Sequence, residues 1–315
     1  MGLKAKTIKL SLSIFKLFTL KMAPPLFLAR TFQSFSGRVL RLPYNKYLKR
    51  DYFKIAGINA CAITPKNQTQ DTVILYLHGG GYSYGSLSYA TGFASELAYR
   101  TGSTVVPIEY RLAPENKFPS AIEDALLSYE YLLASGYAGE KIFIFGESAG
   151  GGLAYSLTFK IRECGLPMPA GIITLSPWAD LTQSSISMQE NKRRDPSLTK
   201  FGLDYFTKNL FGIKKLSLLE KDKVKDPYAS PVYGDFTNFP KTLIFVGGDE
   251  ILLDDSLTLA GRLGEAGVLV KTKITPKMWH CYLVYGLKEH RGDFDIINEF
   301  LAQKGVQEEG EKYEY

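Results

Sequence analysis

Short apolar runs alternate with helical segments along most of this 315-residue chain. Runs suited to buried strands occupy residues 73–77, 141–145, 171–175, 243–246 and 269–274. Apolar residues at helical spacing follow at 121–133, 151–162, 256–265 and 294–303. This alternation predicts an α/β fold with a mostly parallel central sheet and helices on both faces.

Two further strand regions differ from this pattern. Residues 52–64 predict two short strands that turn at Gly57. Residues 104–108 predict another strand, but Pro107 cannot donate to a central ladder, so we expect this strand near an edge or at a bulge.

The domain organisation follows from where the pattern stops. Residues 178–226 carry no strand pattern, and we interpret them as a helical insertion. With the N-terminal segment 1–48 they would form a cap over an α/β domain spanning residues 49–306. The polar, Glu-rich residues 307–315 are predicted to be disordered.

Residues 4–21 predict an amphipathic helix. Lys9 and Lys16 interrupt every apolar run, no small-residue cleavage site follows, and the stretch is shorter than the ~20 apolar residues that span a bilayer. We therefore expect no stable membrane insertion. Lys6, Lys9, Ser13 and Lys16 share one side of the helix, and the broad apolar side could lie on a membrane surface. We expect instead that it packs over the protein's own active site.

Composition excludes several classes of function. The chain is 45% apolar and 22% charged, as in ordinary globular proteins, and its net charge of +6 is scattered, so nucleic acid is not a predicted partner. The three cysteines (Cys61, Cys164 and Cys281) lack metal-ligand spacing and indicate a reducing compartment, which predicts a cytoplasmic location. No metal and no cofactor is predicted.

The pentapeptide Gly146-Glu147-Ser148-Ala149-Gly150 joins a predicted strand to a predicted helix. A serine on such a sharp turn needs small neighbours, which the two glycines supply, and its hydroxyl is then exposed beside a helix N-terminus. Ser148 is therefore the candidate nucleophile.

A glycine triplet lies in a position suited to an oxyanion hole. His78-Gly79-Gly80-Gly81 directly follows the strand 73–77, so backbone N–H groups can turn inward without obstruction. Gly80 and Gly81, with the N–H of Ala149, are the candidate oxyanion donors. His78 is interpreted as a structural residue of this loop.

The search for a base is short, because the chain has 3 histidines. His280 follows the strand 269–274, where the chain order nucleophile, acid, base places the base. His290 lies in a charged run and is predicted to be solvated. The acid should follow the strand 243–246, where Asp254 and Asp255 are expected to cap the next helix. That leaves Asp249 or Glu250.

These residues together resemble the hormone-sensitive-lipase-like family of α/β-hydrolases, which includes bacterial carboxylesterases and relatives of arylacetamide deacetylase. The matching motifs are His78-Gly79-Gly80-Gly81, residues 110–115, the pentapeptide, residues 176–181, Asp195-Pro196 and the final histidine loop. The family's acid motif is Asp-x-Leu-x-Asp, and residues 250–254 match its spacing with Glu in first place. The resemblance therefore favours Glu250 over Asp249. Glu147 departs from the Asp or Thr more usual in the family.

The resemblance implies a helical cap and a carboxylesterase that hydrolyses short-chain acyl esters through an acyl-enzyme, with Ser148, His280 and Glu250 as its triad. Candidate pocket walls are Tyr82, Tyr84, Trp178 and Phe206. The alternatives are an amidase or deacetylase with the same triad, or a non-catalytic small-ligand-binding protein on the same fold. The expected partner is a small-molecule ester, and a homodimer is a further expectation.

Overall fold

A computed structural model describes residues 1–20 and 22–303 and contains an eight-stranded sheet with the order β1-β2-β4-β3-β5-β6-β7-β8. The strands β3 to β8 run parallel, whereas β1 pairs antiparallel with β2, and β2 antiparallel with β4. The strand bounds are β1 (Leu48–Ile55), β2 (Ile58–Pro65), β3 (Val73–Leu77), β4 (Thr104–Pro107), β5 (Ile142–Glu147), β6 (Gly171–Leu175), β7 (Thr242–Gly247) and β8 (Val270–Thr275). The predicted mostly parallel α/β fold is confirmed.

Helices cover both faces of this sheet. Their bounds are α1 (Leu3–Thr19), α2 (Leu26–Leu40), α3 (Leu87–Thr101), α4 (Ser120–Ala134), α5 (Ala149–Glu163), α6 (Ser187–Glu190), α7 (Lys200–Phe211), α8 (Lys221–Val224), α9 (Leu253–Glu265) and α10 (Asp293–Ala302). The core forms two clusters. One contains α4, α5 and α9 side chains, and the other contains α3 and α10 side chains.

The central strands are buried on both sides, as their continuous apolar runs predict. In β3, Val73, Leu75 and Leu77 belong to one core cluster, while Ile74 and Tyr76 belong to the other. All five residues are fully buried. Alternate side chains of a strand point to opposite faces, so only an uninterrupted apolar run can serve two helical layers.

The strand that contains Pro107 lies inside the sheet, so its predicted edge position is wrong. β4 lies between β2 and β3. Pro107 is tolerated because it is the last residue of the strand, and because β4 pairs with β2 at one position alone, Ile63 with Val105. Few ladder hydrogen bonds are lost at such a site.

The segment between β6 and β7 contains the three helices α6, α7 and α8, and within it the structure has no strand. The N-terminal segment contains α1 at the predicted position and a second helix, α2, which sequence analysis did not anticipate. The predicted disordered tail, 307–315, lies outside the described residues. In the ranges that are described, no helix is long and apolar enough to cross a membrane.

Helix α1 turns a mixed polar and apolar side toward the protein, rather than the purely apolar side that was predicted. Its lysine side faces the protein: Lys9 Nζ lies 2.7 Å from Asp249 Oδ2, and Lys16 Nζ lies 2.6 Å from the Asp195 carbonyl. The same side also carries Ala5, Ile8 and Leu12, which pack on the core, whereas Leu10 and Leu17 on the other side are 62% and 68% exposed. The available partners decide the orientation, because this part of the body offers carboxylate and carbonyl oxygens.

Candidate active site

Ser148 lies on the turn from β5 into α5 with a positive φ of 54° and ψ of −122°. The turn brings backbone segments into close contact, which explains both glycines. A Cβ on Gly146 would lie 2.1 Å from the Gly150 carbonyl oxygen, and a Cβ on Gly150 would lie 2.1 Å from that of Leu77. Such a strained serine is typical of a nucleophile elbow.

Three of the predicted residues form one chain of hydrogen bonds. His280 Nε2 is 2.9 Å from Ser148 Oγ, and His280 Nδ1 is 2.8 Å from Glu250 Oε2. A carboxylate can only accept, so Nδ1 carries the hydrogen and Nε2 is free to take the serine proton. Glu250 is fully buried and His280 is 8% exposed, whereas Ser148 is partly exposed and open to a substrate.

The Glu250 carboxylate is held on its other oxygen. Glu250 Oε1 accepts hydrogen bonds from the Ser176 hydroxyl at 2.8 Å and from the Gly247 N–H at 2.5 Å. Ser176 Oγ also accepts the Cys281 N–H at 3.0 Å, which links the acid directly to the loop that carries His280. Sequence analysis missed this role, although Ser176 lies in one of the motifs that carry the family resemblance.

Asn191 and Asp195, which both precede α7, hold the loop that carries Glu250 (the acid loop). Asn191 Nδ2 donates to the Glu250 carbonyl at 3.0 Å, and Asp195 Oδ2 accepts the Ile251 N–H at 3.0 Å. Asp195 is only 1% exposed. The Asp195-Pro196 motif was the only signal in the sequence, and nothing in it revealed which loop the aspartate contacts.

The other candidate carboxylates have different partners. Asp249 pairs with Lys9 at 2.7 Å and with Arg194 at 2.9 Å. Asp254 accepts the Ser187 N–H, and Asp255 accepts the N–H groups of residues 179 and 180. The prediction that Asp254 and Asp255 cap α9 is wrong, because the helix begins at Leu253 and both side chains satisfy backbone groups of the insertion instead.

The glycine loop passes beside Ser148. A Cβ on Gly79 would lie 3.1 Å from the Ser148 Cβ, and both Gly80 (φ 114°) and Gly81 (φ 60°) have the positive φ that glycine tolerates. Within residues 1–20 and 22–303, no group accepts a hydrogen bond from the N–H of Gly80, Gly81 or Ala149. Three backbone donors are therefore available near the serine hydroxyl.

His78 and Glu147 support this loop from beneath. The His78 ring is fully buried, stacks on Tyr110 at 4.3 Å and donates through Nδ1 to the Gly79 carbonyl at 2.8 Å. Burial lowers its pKa to about 4, so the ring is neutral near pH 7. Glu147 Oε1 accepts the Gly79 N–H at 2.9 Å, and burial raises the pKa of this carboxyl.

His290 is not solvated, contrary to prediction. Its ring packs on Tyr282 with centroids 4.8 Å apart, and its side chain is 13% exposed. The charged neighbours in sequence point outward, but the short helical turn at residues 288–290 directs the imidazole inward.

The four predicted pocket residues lie in two layers. Tyr84 and Phe206 are half-buried and meet edge to face at 5.0 Å. A Cβ on Gly81 would lie 2.3 Å from the Phe206 ring, so this ring lies directly against the glycine loop. Tyr82 and Trp178 are 5% and 1% exposed and form the packed layer behind.

This arrangement can perform acyl transfer. A serine is hydrogen-bonded to an imidazole, a buried carboxylate orients that imidazole, and unpaired N–H donors lie beside the serine. In the described part of the chain, no group of three or more His, Cys, Asp or Glu could hold a metal ion. Fold and site together define a serine hydrolase of the α/β-hydrolase type.

Comparison with known proteins supports this assignment. A family model described as the alpha/beta hydrolase fold matches residues 74–284, and the chain belongs to this family. An acetyl-hydrolase of Streptomyces hygroscopicus is 35% identical over 80% of this chain and 82% of its own length, and an esterase of Acinetobacter venetianus is 34% identical over 77% and 78%. A solved esterase of the bacterial hormone-sensitive lipase family superposes with a TM-score of 0.86 at 30% identity, covering 96% of this chain and 98% of that one. The resemblance drawn from the sequence is confirmed.

Proposed function

We propose that this protein is a carboxylesterase that hydrolyses short-chain acyl esters with Ser148, His280 and Glu250. The observation that carries the proposal is the hydrogen-bonded chain from Glu250 through His280 to Ser148 beside three unpaired backbone donors. The family of esterases and acetyl-hydrolases to which the chain belongs supports the same reaction class.

In the proposed mechanism, Ser148 Oγ attacks the ester carbonyl while His280 Nε2 takes its proton. Glu250 stabilises the imidazolium and keeps it in position. The N–H groups of Gly80, Gly81 and Ala149 stabilise the oxyanion. His280 then protonates the departing alcohol, and water releases the acid from the acyl-enzyme by the reverse proton transfers.

The position of Phe206 supports a short acyl preference. Its ring lies against Gly81 and Tyr84, on the proposed oxyanion loop, and we infer that it limits the length of acyl chain that fits on that side. The name acetyl-hydrolase of the Streptomyces relative supports the same size class.

The proposal is tested by hydrolysis of p-nitrophenyl esters from acetate to palmitate, with the corresponding anilides as amide substrates. We expect rapid turnover from acetyl to hexanoyl, little of palmitoyl, and fluorophosphonate labelling that the S148A variant abolishes. Faster cleavage of the anilides would make the protein an amidase. A chain that neither hydrolyses esters nor takes the label would be a binding protein on this fold.

Two further features remain predictions. A cytoplasmic location is supported by the three cysteines, all of which are free thiols, and cell fractionation would test it. A homodimer would be detected by light scattering of the purified chain.

A further inference from the structure

Both N-terminal helices expose large apolar side chains along one side. The stripe on α1 consists of Leu3, Leu10, Ile14 and Leu17, with exposed fractions of 83, 62, 49 and 68%. The stripe on α2 consists of Phe27, Leu28, Phe32, Phe35 and Val39, exposed by 70, 52, 73, 62 and 47%. Apolar patches of this extent on a protein surface mark sites of interaction. We call these two sets the apolar stripes.

The opposite sides of the same helices are attached to the body by polar contacts. On α1, Lys9 pairs with Asp249. On α2, the Arg30 guanidinium makes two 2.8 Å contacts with the Glu115 carboxylate, and Ser34 Oγ lies 2.7 Å from Ser86 Oγ. An amphipathic helix of a globular protein ordinarily turns its apolar side inward. Here the stripes face outward on both helices. The body-facing side of α1 combines the polar anchors with Ala5, Ile8 and Leu12, which pack on the core.

The stripes border the candidate active site. α1 lies on the segment around His280, where Lys9 Nζ contacts the Lys277 carbonyl at 3.3 Å. α2 lies on the segment that follows the oxyanion glycines, where Arg30 Nε donates to the Ser83 carbonyl at 2.9 Å. Both segments follow parallel strands at the carboxyl edge of the sheet. A surface that contacts both stripes therefore lies at the same edge of the sheet as Ser148, which follows β5.

The N-terminal segment that contains both helices is also strongly basic. Residues 1–50 contain eleven Lys and Arg and no Asp or Glu, although the whole chain has a net charge of only +6. The side chains of Lys6 and Arg38, on the same two helices, are exposed. Helices with exposed Leu and Phe flanked by cations lie in the interface of anionic bilayers, where each cation near the surface adds to the affinity.

We propose that α1 and α2 dock this protein on the surface of an anionic lipid bilayer, with the opening to Ser148 turned toward the lipid. Docking is peripheral, since neither helix is long and apolar enough to cross the bilayer. A second copy of the chain is a poorer occupant, because it would bring a second acid-free N-terminal segment against the first. This proposal concerns where the enzyme works and does not depend on which ester it hydrolyses.

The test is co-sedimentation of the full-length protein with sucrose-loaded vesicles of phosphatidylcholine alone or with 30% phosphatidylglycerol. We expect binding to the anionic vesicles that weakens in 0.5 M NaCl, because salt screens the charges. The F32E/F35E variant should bind at least about tenfold more weakly. The matched control is L218E/L269E, which adds the same charge at two exposed leucines, 67 and 59% exposed, outside the N-terminal helices and should bind as wild type does.

Equal vesicle binding by wild type and F32E/F35E would overturn the proposal. So would a stable dimer in light scattering that F32E/F35E dissociates while the wild type binds no vesicles. If F32E/F35E does not fold, L10E/L17E on the other stripe makes the same comparison. Hydrolysis of dissolved p-nitrophenyl butyrate should be the same for wild type and the double variants. Failure of docking is thereby distinguished from failure of the proposed esterase function.

Discussion

At the residue scale, the site depends on the hydrogen bonds that each oxygen of the buried Glu250 carboxylate accepts. One oxygen of Glu250 accepts a hydrogen bond from His280, and the other accepts hydrogen bonds from Ser176 and Gly247. These bonds fix the orientation of the carboxylate. Asp249, its neighbour in sequence, points away to Lys9 and Arg194. Adjacent residues of a turn direct their side chains oppositely, and this separates two candidates that spacing alone could not.

We predict that E250Q loses up to about 10⁴-fold in kcat, because an amide neither fixes the histidine tautomer nor stabilises the imidazolium. D249N is the control, since it alters the ion pairs with Lys9 and Arg194 without touching His280. Steady-state kinetics with p-nitrophenyl butyrate measures both. A crippled D249N beside a nearly normal E250Q would reverse the assignment.

The protonation of Glu147 in the folded protein can also be tested. Its buried carboxyl has a raised pKa and accepts the Gly79 N–H. Because the folded pKa lies above the unfolded value of about 4.3, folding takes up a proton, and stability falls as pH rises through the range between the two values. In E147Q the amide oxygen keeps the hydrogen bond and does not titrate. We therefore expect near-normal kcat and a smaller loss of stability from pH 4 to pH 7.

E147A supplies the contrast, because it leaves the Gly79 N–H unpaired and releases the oxyanion loop. We expect its kcat to fall by about 10²-fold, which is the usual effect of losing one oxyanion donor. Urea denaturation at several pH values and ester hydrolysis would be measured on the same preparations. Equal kcat for E147A and wild type would show that the carboxylate does not position the loop.

At the element scale, α2 approaches α3 very closely at one point. A Cβ on Gly37 would lie 2.3 Å from the Ser88 carbonyl and 2.5 Å from the Tyr89 Cα, and a Cβ on Gly92 would lie 2.8 Å from the Gly37 Cα. The two helices α2 and α3 thus meet backbone to backbone. This contact, together with Arg30 and Ser34, fixes the helix whose apolar stripe faces outward.

G37A should accordingly destabilise the protein by about 1–3 kcal/mol, the usual cost of overpacking, because the obstructing atoms are backbone. The matched control is G261A in α9, where an added Cβ meets nothing within 4 Å. Alanine there should be neutral or stabilising, since it has the better helix propensity. Thermal unfolding compares the two, and an unchanged midpoint for G37A would mean that α2 can move away from α3 freely.

At the scale of the whole molecule, α1 connects parts of the chain far apart in sequence. It contacts the acid loop through Lys9, and Ala5 is buried in the same core cluster as Trp279 and Cys281, which flank His280 in sequence. Deletion of residues 1–22 should therefore lower the melting temperature and reduce kcat/KM on dissolved p-nitrophenyl butyrate. A truncated enzyme with wild-type kcat/KM and stability would show that α1 has no part in the site.

Much of this protein is determined by its sequence alone. The apolar runs predict the central strands because a strand covered on both faces must be apolar at every position, as residues 73–77 are. The glycines around Ser148 and at residues 79–81 predict the elbow and the loop because backbone geometry there admits no side chain. The order of the strands places His280 and the acidic loop on the same edge, and the scarcity of histidines leaves few alternatives.

Only the tertiary structure decided the rest. It separates Glu250 from Asp249, gives Asp254 and Asp255 their partners in the insertion, buries His290, and places β4 inside the sheet. It also turns the apolar stripes of α1 and α2 outward, whereas the sequence predicted that the apolar side of α1 packs over the active site. The physical reason is the same in each case. Local patterns record what a residue prefers, whereas orientation depends on partners distant in sequence, such as Ser176 for Glu250 or Asp249 for Lys9.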